Sequence, residues 1–230
     1  MGGSKIRLIV ALLPTTLGIA SNISFNGVFT ADNKEAIFDL TMAASSTITI
    51  QTFSYAGGGP DMAVAGGFAP ELTLFDASGD ILANDAVGGT APGACETRGI
   101  DPTTGACLDA LIGLPPLTLA AGSYVAVLTE QGNNPGATLS AGFSEDAAHG
   151  NDPTFTGDNT GLPGRMFIDP GNFSQRNGTW DVWFFSNSLG SVTRVVAAPE
   201  PGSALLSCAG ILTFLFMRRV VSRPRFGGKK

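Results

Sequence analysis

The sequence predicts an all-β fold, an antiparallel β-sandwich or jelly-roll-like arrangement, on three observations. Glycine and proline number 31 and 14 in 230 residues and only 14% of residues are charged, a composition that interrupts helices and supplies turns. Several short segments alternate apolar and polar residues with the period of two that turns one strand face inward. Turn signals separate these segments, without the long amphipathic helices that a parallel sheet needs for its crossovers.

Taken in order, the chain starts with Lys5 and Arg7 ahead of the apolar run Leu8 to Ala20. A basic start, a short apolar core and small residues are the form of a secretory signal helix, and Gly18 and Ala20 suit cleavage after Ala20. Residues 1–20 are therefore expected to direct export, the alternative being a buried first strand or helix. One domain's worth of sequence remains, residues 21–198.

Within it, Ala36–Met42 places Phe38, Leu40 and Met42 on one face, and Thr47–Gln51 places Ile48 and Ile50 on another inner face. Glu71–Phe75, the turn Asp76-Ala-Ser-Gly-Asp80 and Ile81–Ala83 read as a hairpin. Tyr124–Leu128 is a further strand. Trp180–Phe185 sends Trp180, Val182 and Phe184 to one side and Asp181, Trp183 and Phe185 to the other, which predicts a central strand with both faces largely covered. Two insertions rich in Gly, Pro, Asn and Asp, near 86–113 and 144–178, are expected as long loops that carry the individuality of the domain.

Between Ser24 and Ala198 there are 18 Asp and Glu against 5 Lys and Arg, so 5 − 18 = −13. Such a domain repels phosphate backbones, and nucleic acid is excluded as a partner. Cys95 and Cys107 bracket a short loop and pair most simply as a disulfide in an oxidising compartment, whereas Cys208 falls in an apolar run. His149 is the only histidine, and no nucleophile setting accompanies it, so a solvated loop histidine is expected and no catalytic residue is assigned. Acids and amides cluster at Asp76, Asp80, Asn84 and Asp85, and again at Asp146, Asn151, Asp152, Asp158 and Asn159. Turn chemistry accounts for both, with Ca²⁺ on Asp146, Asp152 and Asp158 as the alternative. Trp183 and Tyr124 would stack on sugar rings if exposed, but strand aromatics more often serve the core.

Pro199-Glu200-Pro201 then leads into an uncharged run ending at Met217, 17 residues counted from Pro201, stopped by Arg218 and Arg219. This is the short end of what spans a hydrocarbon core of about 30 Å, and it must be helical to do so. The basic residues that follow, with 226–230 as a basic tail, place the domain across the membrane from the cytoplasm. The segment 199–225 resembles the PEP-CTERM sorting signal of Gram-negative bacteria that make exopolysaccharide. That resemblance implies recognition by an exosortase at Pro199, Glu200 and Pro201, followed by sorting to the envelope or outside.

The run from Ser24 to Phe75 also resembles the prepeptidase C-terminal-like β-sandwich family. The residues that carry the likeness are Phe25-Asn-Gly-Val-Phe29, Phe38-Asp-Leu40, Ile48 to Tyr55 and Leu72 to Gly79, with Ala121 to Val125 beyond. The resemblance implies the sandwich fold and an association with surface carbohydrate or protein attachment.

The expected function is that of an exported, exosortase-sorted envelope or matrix protein with a non-enzymatic structural or adhesive role linked to exopolysaccharide. A calcium-dependent carbohydrate-binding module is the alternative, and a surface hydrolase built on His149 the third reading. Its expected partners are the sorting enzyme, the membrane through 201–217, and surface polysaccharide or other envelope proteins.

Overall fold

The computed structural model describes residues 21–85, 95–144, 166–170 and 172–195. They form an all-β domain of two antiparallel sheets. The strands are β1 (Ser21–Val28), β2 (Ala36–Met42), β3 (Ser46–Thr52), β4 (Pro70–Phe75), β5 (Ile81–Asp85), β6 (Leu111–Leu119), β7 (Gly122–Glu130), β8 (Thr179–Ser186) and β9 (Leu189–Val195). One sheet has the order β1-β8-β3-β6 and the other β5-β4-β7-β2-β9. Of the links between successive strands, only β4–β5 stays within one sheet, so the chain alternates between sheets nearly throughout.

The inward faces meet in one core. Phe38, Leu40, Met42, Leu72, Leu74, Ala126 and Leu128 come from the five-stranded sheet, and Ile48, Ile50, Ile112, Trp180, Val182 and Phe184 from the other. An aromatic chain runs through it. Phe38 lies 5.3 Å from Phe184 and 6.1 Å from Trp180, Phe29 lies 5.8 Å from Trp180 and 5.3 Å from Phe68, and Phe68 lies 5.5 Å from Phe167. Each buried ring contributes about 1.5–3 kcal/mol by leaving water, and tilted or offset pairing adds to this.

Trp180 explains a glycine opposite it. Gly27 and Trp180 are cross-strand partners, and a β-carbon on Gly27 would lie 2.5 Å from the indole Cζ2. The ring occupies the space that a side chain would need.

The β4–β5 hairpin forms as its sequence predicts. Asp76 Oδ1 accepts the N–H groups of Ser78 at 2.8 Å and Asp80 at 3.0 Å, and Gly79 adopts φ 87°. The side chain thus replaces backbone partners that a tight turn leaves open. Strand β4 is buried on both faces, because the segment after β7 folds over its outer side. There Phe75, Val127 and Phe143 form a small second core, and Asn84 Nδ2 donates to Glu71 Oε1 and Thr73 Oγ1, both at 2.8 Å. Burial pushes the Glu71 carboxyl above its ordinary range, and the Asn84 hydrogen bond only partly opposes it.

Strand β8 is central, lying between β1 and β3. Its inner face is fully covered, with Trp180 at 2% and Val182 and Phe184 at 0% exposure. The outer face is covered less completely: Asp181 is 6% exposed, while Trp183 and Phe185 each keep part of their surface in solvent. The expected insertion 86–113 also ends earlier than its composition suggests, since Leu111, Ile112 and Gly113 already belong to edge strand β6.

Candidate functional site: an acid cleft beside an aromatic strip

The described parts of both insertions are pinned to the sandwich-like body by buried polar groups. In the first, a short helix α1 (Cys95–Arg98) is bridged to Cys107 by a disulfide with Cα atoms 5.2 Å apart. Arg98 Nη1 donates to Asp85 Oδ2 at 2.6 Å and to the Asp109 carbonyl at 3.0 Å, and Gln51 Nε2 donates to the Thr97 carbonyl at 2.7 Å. Asp109 accepts Thr52 Oγ1 at 2.9 Å and the N–H groups of Tyr55 and Ala56 at 3.1 and 2.8 Å. Burial nevertheless raises its carboxyl to about 6, against the pull of those hydrogen bonds and of Arg98.

The second insertion docks through Asp169 and Arg176. Arg176 donates to Asp169 Oδ2 from Nε at 3.0 Å and from Nη2 at 2.8 Å, and its Nη2 also pairs with Asp101. Tyr55 completes the group, donating to Asp169 Oδ2 at 2.5 Å beneath the guanidinium, whose Cζ lies 4.1 Å from the ring centroid. Burial first, and then the bond to Asp169, raise the Tyr55 hydroxyl to about 12. For Asp101, desolvation pulls upward, but the Thr103 N–H and Arg176 outweigh it and hold the carboxyl below the ordinary range. These groups saturate one another and act as clamps.

A different arrangement lies on the outer face of the β1-β8-β3 sheet. Trp183 and Phe185 stack there at 5.6 Å with planes 19° apart. Register places Asn22 beside Phe185, Ser24 beside Trp183 and Asn26 beside Asp181 on β1, and Thr49 beside Phe185 on β3. An aromatic strip is thereby flanked by short polar side chains.

At the Asp181 end the strip runs into an open cleft of about 380 Å³, lined by Asn26, Gly27, Asp61, Val64, Trp180 and Asp181 among others. Asp181 is 6% exposed and its Oδ1 has no hydrogen-bond partner among the described residues. Asp61, exposed, accepts a hydrogen bond from Ser24 Oγ at 3.2 Å. Burial first, and then repulsion from Asp61, push the Asp181 carboxyl up to about 6; Asp109 adds to this, and the nearby Trp183 indole opposes it without forming a hydrogen bond of normal geometry. Two carboxylates and an aromatic strip are suited to hold a ligand that carries both positive charge and a ring with an apolar face.

A larger groove of about 610 Å³ on the other sheet is lined by Asp39, Thr41, Asp76, Ser78, Ser123 and Tyr124 among others. Its Asp76 is already engaged in the turn, and Tyr124 donates to the Ala120 carbonyl at 3.0 Å.

The structure brings Cys95 and Cys107 together. It separates the first acidic cluster into independent roles, with Asp76 in the turn, Asn84 on Glu71, and Asp85 on Arg98 and on the Leu111 N–H at 2.6 Å. Asp146, Asp152, Asp158 and His149 lie outside the described residues, as do the segment 1–20, Pro199, Glu200, Pro201, the run 201–217, Arg218 and Arg219. Sequence reasoning missed Asp61 and Asp181. The alternation around Trp180–Phe185 puts Asp181 on the outer face with Trp183, but no local pattern brings Asp61 to it from more than a hundred residues away. No protein-family profile matches the chain, and no curated protein matches it.

Proposed function

We propose that this chain is an exported protein, sorted at Pro199-Glu200-Pro201 by an exosortase-type enzyme, whose prepeptidase C-terminal-like, jelly-roll-like sandwich serves a non-catalytic structural or adhesive role in an exopolysaccharide-bearing envelope or matrix. The observation that carries this reading is the Cys95–Cys107 bridge in an otherwise clamped all-β body. A disulfide suits an oxidising compartment beyond the cytoplasm, and a body to which the described parts of both insertions are tied suits display. The excess of acid over base between Ser24 and Ala198 suits solubility in a hydrated matrix.

Intact mass and cell fractionation test the proposal, comparing the native chain with Glu200→Ala. The expected outcome is a native form that lacks residues 1–20 and the segment after the tripeptide, and a variant that keeps the latter in the inner membrane. If both forms retain the C-terminal run and fractionate alike, the sorting reading is wrong and the chain is a single-pass anchored protein.

A further inference from the structure

We propose that the outer face of the β1-β8-β3 sheet binds an amine-bearing polysaccharide, with sugar rings packing along Trp183 and Phe185 and an ammonium group entering the cleft between Asp61 and Asp181. This deepens the proposed function by naming a ligand class, and it rests on that reading only for where the ligand is met.

Three observations point to a chain of sugars. The parallel rings of Trp183 and Phe185 are half-buried on an outer face where the core makes no use of them, and an aromatic face is apolar enough to take the C–H side of a sugar. Asn22, Ser24, Asn26 and Thr49 border the strip at matched register, supplying donors and acceptors for hydroxyl groups. The outward positions Asp181, Trp183 and Phe185 span about 13 Å along the strand, longer than a single sugar ring, so the face fits a chain of sugars.

Charge then selects among polysaccharides. Asp181 and Asp61 both line the cleft; Asp181 is deeply buried, and its Oδ1, itself shielded from solvent, has no hydrogen-bond partner of normal geometry among the described residues. Two carboxylates facing one space repel each other, and an ammonium group placed there relieves both while making charge-assisted hydrogen bonds. The surrounding domain carries −13 between Ser24 and Ala198, which disfavours polymers bearing uronate, sulfate or phosphate.

Calorimetric titration of the full chain, purified in mild detergent, with a glucosamine hexamer tests this, with the N-acetylglucosamine and galacturonate hexamers alongside. The glucosamine hexamer is expected to bind, the acetylated one more weakly, and the galacturonate one not at all. Trp183→Ala and Asp61→Asn are each expected to weaken glucosamine-hexamer binding by roughly tenfold or more, and Asp61→Asn also to erase the preference for the free amine. Asp61 is exposed, so its variant keeps the fold and isolates the charge.

Failure of the glucosamine hexamer to bind, equal binding of all three hexamers, or unchanged affinity in both variants overturns the proposal. So does a chain that self-associates and becomes monomeric on Trp183→Ala, since a second copy is then the occupant. A chain that binds the hexamer but keeps its C-terminal run in the inner membrane sinks only the sorting reading. One that is sorted and does not bind sinks only this one.

Discussion

Arg176 reaches Asp101 across 75 positions of sequence and joins the two insertions in one buried ionic group. The side chains of Arg176, Asp101 and Asp169 are 7%, 1% and 0% exposed. Such a group adds little net stability when whole, because desolvation offsets its attraction, but removing one member strands the others. Arg176→Ala is expected to destabilise the protein by about 3–5 kcal/mol, read as a lower midpoint in denaturant unfolding. Arg176→Lys should recover only part of this, since an ammonium cannot fork between two carboxylates while lying flat on Tyr55. A loss below the scatter of ordinary surface substitutions would show that the clamp is dispensable.

The raised carboxyls give stability a definite pH dependence. Asp109 and Asp181 hold their protons to about 6 in the folded state, whereas an unfolded aspartate releases its proton near 3.9. Between these values the folded state binds more protons, so stability is greatest at the acidic end and falls as pH rises through about 6. From about pH 7 to about pH 5 each group should add roughly 1 kcal/mol. Asp101 acts in the opposite sense, losing its contribution only below the ordinary aspartate range. Chemical unfolding at several pH values checks this; Glu71, also raised by burial, adds in the same sense, and Asp181→Asn should reduce the slope without abolishing it. A stability that rises from pH 5 to 7 would contradict the assignment.

The disulfide closes a loop with a sequence separation of 12, for which the chain-entropy estimate is about 3 kcal/mol. Replacing both cysteines with serine is expected to lower stability by about that amount or less, because Arg98, Gln51 and Asp109 still hold the same segment. Thermal unfolding with and without reductant reads the difference. The double variant should be insensitive to reductant.

Gly27→Ala tests the close approach of Trp180. The added carbon meets a ring locked among Phe29, Phe38 and the rest of the core, so a loss of about 1–3 kcal/mol is expected from overpacking. An unchanged midpoint would mean that the indole has room to shift.

The strands that sequence made legible carry a local signal of alternation, apolar run or turn. Strands β2, β3, β7 and β8 and the β4–β5 hairpin show clean alternation or turn chemistry, and each lies within two residues of its expected bounds. Strand β6 is hidden by Pro115 and Pro116, which local propensity rejects but an edge position tolerates. Strand β9 is weakly apolar, with only Leu189 and Val192 buried. Glu71 and Thr73 lie on the outer face of β4, yet they are buried by a segment whose arrival no local pattern announces. The clamps and the acid cleft share that reason, since Tyr55 with Asp169 and Asp61 with Asp181 are made neighbours by topology alone.

Strand β6 also bears on how copies of this molecule behave when crowded. It is one of the two outer strands of its sheet, and residues 114–116, with both prolines, are exposed. A proline has no N–H to offer, and a strand's N–H groups point alternately to its two sides, so the adjacent prolines leave this border short of a donor. A second copy approaching side-on finds an interrupted template, and extension of the sheet from molecule to molecule stops there. This border of the sheet is thus chemically blunted.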